Sequence, residues 1–184
     1  MKNKHFSIGL EEEYLVVNKY DGALIIDPPK NLMRDCKKKL KEQVKPEFLK
    51  SQIEVRTKVC RTIKDLKNNL IFLRNNISQI LNKYDLAPIA VSIHPFSGWE
   101  QQKHTEKRRY SALAEDFQIV GRRLVISGMH IHVGIPDNET RIDLMNQVAY
   151  FLPHLLALST SSPFWKGELT GLKSYRVSIF DELP

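Results

Sequence analysis

Three stretches of the chain alternate apolar and polar residues with the two-residue period of a β-strand. In residues 124–135 one face carries Val125, Met129, Ile131, Val133 and Ile135, with Ser127 its only polar member, and is expected to face the core. The other face carries Leu124 and Ile126, then Gly128, His130, His132 and Gly134, so two imidazoles point the same way between residues that leave space beside them. In residues 6–17 the even positions are Phe6, Ile8, Leu10, Glu12, Tyr14 and Val16, and the odd ones place Glu11 and Glu13 together on the opposite face. Glu12 falls on the apolar face, where it needs a basic partner or a place near the sheet edge. In residues 51–60, Ile53, Val55 and Val59 read as inward, and Gln52, Glu54, Arg56 and Lys58 as facing the other way.

Between these strands the period changes to that of helices. Thr62-Ile63-Lys64-Asp65 has the form of a capping box, and Ile63, Leu66, Leu70, Leu73, Ile77, Ile80, Leu81 and Tyr84 follow at spacings suited to one helical face. Residues 105–120 predict a helix with Tyr110, Leu113, Phe117 and Val120 inward. Residues 141–160 predict another, broken or kinked at Pro153. The Asp21-Gly22 pair between residues 14–17 and 23–26 predicts a hairpin. Residues 87–93 form a short β-rich run that empties into the loop from His94-Pro95 to Gly98-Trp99. The expected order is strand, hairpin, helix, strand, helix, strand, loop, helix, strand, helix, without repeats or a Gly/Ser-rich linker.

At 184 residues this pattern fits one domain, long enough to bury about two-thirds of its unfolded surface. Cys36 and Cys60 are the only cysteines; they match no zinc spacing and are too few for a secreted disulfide scaffold. Residues 1–5 lack the apolar segment of a secretion signal, and no stretch has the length of a membrane span. A cytoplasmic protein is expected. The net charge of +7 is concentrated in residues 34–50, with Lys37, Lys38, Lys39, Lys41 and Lys45. Such runs are usually a solvated helix face, and no aromatic residues are interleaved as in single-strand nucleic-acid binders, so no nucleic-acid partner is expected.

The chemistry therefore lies in the carboxylates and imidazoles. Like charges at i and i+2 of a strand repel unless a cation or a shared proton sits between them, so Glu11 and Glu13 point to a metal, and Glu54 offers one more carboxylate. The alternatives are specific. Glu54 could pair with Arg56 or Lys58, and His94 could cap a turn. Arg109, next to Lys107 and Arg108, could be solvated charge. Trp99 and Trp165 read as packing residues.

The series Gly9-Leu10-Glu11-Glu12-Glu13, Ser51-Gln52-Ile53-Glu54, His94-Pro95, Arg109-Tyr110, Gly128 to Gly134, Leu144-Met145-Asn146, Ser161 to Trp165 and Thr170-Gly171-Leu172-x-Ser174-Tyr175-Arg176 resembles, in order, the second family of glutamate–cysteine ligases, carboxylate–amine ligases related to glutamine synthetase. The resemblance implies an α+β fold of that kind, an antiparallel sheet with helices packed on one face and an open face for ATP, Mg²⁺ (or Mn²⁺) and glutamate. It also implies a reaction in which an acyl phosphate of the glutamate γ-carboxylate is captured by cysteine or another amine. Glu11, Glu13, Glu54 and His130 would then be metal ligands, His132 and His130 would lie at the nucleotide or substrate, and Arg176 and Arg109 would face the reacting carboxylate or phosphate. The match covers the N-terminal half of the family's catalytic domain. The chain is accordingly expected to be truncated at Pro184, to bind nucleotide better than it turns it over, and to self-associate through an unpaired sheet edge. Two rival readings are a metal-dependent hydrolase built on His130-x-His132, disfavoured because carboxylates outnumber imidazoles, and a non-catalytic interaction fragment of the same fold.

Overall fold

The computed structural model describes residues 6–182; residues 1–5, read above for a secretion signal, and residues 183–184 at the chain end lie outside the described part. Strand β1 (Ser7–Asn18) is the spine of the sheet. One side pairs through residues 11–15 with β3 (Gln52–Arg56), which in turn pairs with β2 (Val44–Pro46). The other side is shared: β4 (Leu86–Ile89) takes residues 15–18, and β5 (Met129–Gly134) takes residues 7–12. Every pairing is antiparallel. Where β4 and β5 part, Gly128 fills in, its carbonyl accepting from Glu13 N–H at 3.0 Å.

Helices α1 (Leu32–Leu40) and α2 (Ile63–Asn82) cover one face. Tyr14 and Val16 of β1 and Ile53 and Val55 of β3 meet Leu32, Cys36, Leu73, Ile77 and Leu81 there, as the two periodicities require. The Thr62 hydroxyl caps α2, accepting from Asp65 N–H at 3.0 Å. Ile63 precedes the first turn that reaches the core and is exposed, unlike the buried Leu66. On the opposite face Leu15 and Val17 pack with Leu24, Leu49 and Val125, with Trp99 against them. That second core closes only the Asn18 end of β1, so the stretch bearing Glu11 and Glu13 stays uncovered by it. The expected α+β sheet with helices on one face is therefore present.

Several expectations change in detail. The basic run is helical only through Leu40; a 3-10 turn (Lys41–Gln43) follows, and Pro46, which disfavours helical backbone at Lys45, leads the chain into β2. The hairpin closes through a single Val17–Leu24 bridge. Strand β3 stops at Arg56, leaving Val59 exposed rather than inward. Helix α3 (Arg108–Arg123), broken by a kink at Gln118 (φ 47°), buries Tyr110 and half-buries Leu113, Phe117 and Val120. The long helix near the end is two, α4 (Asn138–Ala149) and α5 (Leu152–Leu158), with Pro153 in the first turn of α5. The tail adds a small ribbon, β6 (Phe164–Trp165) with β7 (Glu168–Leu169), and a short α6 (Arg176–Phe180).

The largest correction concerns β5. Met129, Ile131 and Val133 do share the helix-side face, opposite Glu12, Leu10 and Ile8 of β1, yet they are 47%, 63% and 54% exposed rather than core. Helix α2 packs on β1 and β4, and its coverage ends before β5.

His94 caps a turn. Its ring is buried, Nε2 lies 2.9 Å from the Gly22 carbonyl, and Nδ1 accepts from Ser97 N–H at 2.9 Å. Both nitrogens are satisfied only in the neutral ring, and burial lowers the pKa although the Gly22 carbonyl opposes it. A basic group with a depressed folded pKa contributes fully above its unfolded value, about 6.5, and its contribution is lost as pH falls through the folded value. Urea denaturation at a series of pH values should show stability dropping below about pH 6.5, with that portion of the drop absent from His94→Gln protein. An identical pH profile in the variant would contradict it.

Candidate functional site

The antiparallel register places the candidate carboxylates in one patch. Lys45 of β2 stands opposite Glu54 of β3, and Glu54 opposite Glu13 of β1. One step along, Arg56 stands opposite Glu11, and Glu11 opposite His130 of β5. Side chains two apart on a strand share a face, so Glu11, Glu13, Glu54, His130 and His132 all rise from the face opposite α1 and α2.

They form two adjoining clusters. Ligand atoms of Glu11, His130 and His132 lie within 4.8 Å of one another, and so do carboxylate oxygens of Glu13, Glu47 and Glu54. Glu11 Oε2 is 3.2 Å from His132 Nε2 and 3.7 Å from His130 Nδ1. Glu13 Oε2 accepts from Gly128 N–H at 2.8 Å, which fixes one oxygen to the backbone. Glu54 is buried, and its Oε1 lies 2.8 Å from the Lys45 ammonium without an aligned hydrogen bond. Lys45 therefore replaces the Arg56 or Lys58 partner considered from sequence.

Burial governs the electrostatics. It raises Glu13, with the Gly128 N–H and the neighbouring His130 working against it and the Glu54 charge adding to it. It raises Glu47 further, to about 7, assisted by Glu54 and Glu13. For Glu11 burial also pushes upward, but the His132 hydrogen bond and the Lys45 charge outweigh it and hold the carboxyl below the ordinary range. A proton or a cation relieves crowded carboxylates of this kind. Buried Glu54 Oε1 has the Lys45 ammonium as its partner at 2.8 Å, so a cation bound there would share that oxygen with Lys45. Three carboxylates suit a hard divalent cation such as Mg²⁺, and imidazoles beside Glu11 also suit Mn²⁺.

Arg176 approaches from α6. Its charge acts on Glu13, and its Nε is buried without a hydrogen-bond partner. Gly128 leaves room for the approach, since a Cβ there would lie a tight 3.1 Å from Arg176 Nη2. The two residues line a cavity of about 390 Å³ with Glu13, Ser127 and Leu156. Arg109 sits one step further out: its guanidinium lies 4.7 Å from the Tyr110 ring centroid and donates at 3.1 Å to the Tyr110 hydroxyl, which in turn donates to the Pro46 carbonyl between Lys45 and Glu47.

Glu12 meets its expectation through a partner on α2: Arg74 Nε donates to Oε2 at 2.8 Å, Arg74 Nη2 pairs with Oε1, and the Tyr14 hydroxyl adds a third donor. Sequence reasoning missed Glu47 and Lys45. The available signal was Val44-Lys45-Pro46, where the proline argues for extended chain and hence for a strand that could bring Lys45 and Glu47 beside Glu54.

Residues 7–184 match the model of Glutamate-cysteine ligase family 2 (GCS2). A Rhodospirillum rubrum protein named "Putative glutamate–cysteine ligase 2" is 53% identical over 188 residues, covering 100% of this chain and 48% of that protein. A Jannaschia protein of the same name is 52% identical, covering 99% and 48%. The chain thus spans about half the length of the curated relatives it matches. Among solved structures, a bifunctional glutathione synthetase from Pasteurella multocida aligns with TM-score 0.70 at 18% identity, over 87% of this chain and 24% of that one. A Francisella tularensis glutamate–cysteine ligase in complex with AMP aligns with TM-score 0.58 at 17% identity, over 82% and 30%. These likenesses establish the fold.

Proposed function

The chain belongs to glutamate–cysteine ligase family 2, and on that premise we propose that it contributes the metal- and nucleotide-binding face of an ATP-dependent carboxylate–amine ligase. The observation that carries this reading is the pair of adjoining clusters, Glu13–Glu47–Glu54 and Glu11–His130–His132, on the sheet face opposite α1 and α2. In the reaction, an oxygen of the glutamate γ-carboxylate attacks the terminal phosphorus of ATP and ADP leaves. The amine of cysteine, or another amine, then attacks the acyl carbonyl and releases phosphate.

Each residue has a role set by its chemistry. Glu13, Glu47 and Glu54 would hold one divalent cation, and Glu11 with His130 a second. Mg²⁺ or Mn²⁺ supplies charge neutralisation for the triphosphate. His132, hydrogen-bonded to Glu11, lies on the flank where a nucleotide phosphate can accept from it. Arg176, next to Glu13 with a free donor, is suited to a substrate carboxylate or the transferring phosphate. A zinc hydrolase on His130-x-His132 is disfavoured, since four of the six clustered ligands are carboxylates.

We further place the protein in the cytoplasm, a reading supported by two buried free thiols; among the described residues no helix is long and apolar enough to cross a membrane. Titration calorimetry of ATP with and without Mg²⁺ tests the core reading. Binding should require the metal and weaken at least about tenfold when Glu11→Gln and Glu13→Gln are combined, the range seen when groups that orient or form metal sites are removed. Equal affinity in the double variant would overturn it.

A further inference from the structure

Among the described residues Lys45 is the cation paired with the three-carboxylate cluster, and neither the family match nor the motifs assign it a role. It reaches the site from β2, directly opposite Glu54 in the strand register, and its ammonium stands 2.8 Å from buried Glu54 Oε1. Its charge also acts on Glu47 and Glu11, so one ammonium serves carboxylates of both clusters. The contact lacks hydrogen-bond alignment, and the Lys45 side chain is 41% exposed while Glu54 is 5% exposed. The lysine is therefore a half-exposed ion-pair partner at the solvent-facing mouth of the cluster.

We infer that Lys45 is a tethered counter-ion with two positions, on Glu54 when the carboxylate cluster lacks a divalent cation and on a phosphate of the metal-bound nucleotide when it is filled. The inference rests on the proposed metal and nucleotide reading of this face. Its physics is simple. An ammonium 2.8 Å from Glu54 Oε1 would stand directly beside a divalent cation bound to the same oxygen at about 2.0–2.6 Å, so the two cations repel and compete for one ligand. A flexible four-carbon stem lets the ammonium leave without moving β2. Once Glu54 is committed to the metal, the strongest remaining anion on that open face is the phosphate chain, which a lysine binds as a point charge. Lys45 thus weakens binding of bare metal and strengthens binding of the metal–nucleotide pair, so the site fills with both together.

The experiment titrates Mn²⁺ by electron paramagnetic resonance into wild-type, Lys45→Met and Lys45→Arg protein, alone and with a non-hydrolysable ATP analogue. Lys45→Met should bind bare Mn²⁺ about tenfold more tightly than wild type and the Mn²⁺–analogue pair about tenfold more weakly, with Lys45→Arg close to wild type. Such opposite shifts would not follow from a merely structural loss. Unchanged affinities, or shifts of the same sign in both titrations, overturn the two-position role. Failure of the underlying site reading looks different: neither wild type nor Lys45→Met binds Mn²⁺, or Glu54→Gln binds it as well as wild type.

Discussion

Replacing Arg74 by Met should destabilise the fold by about 2 kcal/mol, less than the roughly 3–5 kcal/mol for breaking a fully buried ion pair, because the Arg74 side chain is itself 47% exposed. Glu12 sits at 2% exposure on the helix-side face of the central strand, and Arg74 reaches it from α2 with two donors. Without the guanidinium only the Tyr14 hydroxyl still serves the carboxylate, and a charge remains buried without an opposite charge. Since domains of this size are stable by only about 5–15 kcal/mol, the loss is a large fraction of the whole. Removing both charges with Glu12→Leu plus Arg74→Met should recover most of it, because an apolar pair of similar volume carries no desolvation penalty. Urea denaturation of the four proteins checks both statements. A single-variant loss under about 1 kcal/mol, the size typical of an exposed pair, would contradict the account.

A second large effect is expected in assembly. Strand β5 pairs with β1 on one side, and among the described residues no strand pairs with its other side. The same strand exposes Met129, Ile131 and Val133, and α4 and α5 after it in sequence expose Ile142, Met145, Leu152 and Leu155. An open ladder next to an apolar row is the combination that recruits a second strand. Light scattering should therefore report a mass at least twice the 21.3 kDa of the chain. Ile131→Lys plus Val133→Lys should return it to the single-chain mass, because charges on an edge strand block pairing. A single-chain mass for the unmodified protein at high concentration would sink the idea.

How far the sequence predicts this molecule depends on whether a residue's neighbours are local. Period-two alternation placed Glu11 and Glu13 on one face, and Gly128, His130 and His132 on another strand's corresponding face, because side-chain direction along a strand is a local property. The same logic flagged Glu12 as needing a basic partner, although only the fold shows that Arg74, 62 residues away, provides it. Met129, Ile131 and Val133 mark the limit of that logic. Alternation reports which side a residue faces, and whether anything covers that side is decided by where α2 ends. Lys45 and Glu47 were hidden for a related reason: within a lysine-rich run they read as solvated charge, and their role arises from the pairing of β2 with β3. Arg109 rests on a motif position alone, and its contacts are with Tyr110.

The split edge of β1 gives the two halves of the site unequal persistence. Glu13 and Glu54 stand on strands backed by the α1–α2 core, whereas His130, His132 and Gly128 hang on a strand held mainly by its ladder to β1. Local opening follows buried contact, so exposed hydrogen-bonded segments separate at free energies far below global unfolding. The histidine flank can thus part from Glu11 while the buried carboxylates keep their arrangement. Loop-closure entropy adds little to this contrast: joining Gly128 to Glu13 across 115 residues costs only about 0.8 kcal/mol more than joining Thr57 to Leu10 across 47. The difference lies in what each closure buries. Amide exchange would accordingly divide this one patch into a slow carboxylate floor and a fast imidazole wall, with any ligand that bridges them acting as the clasp.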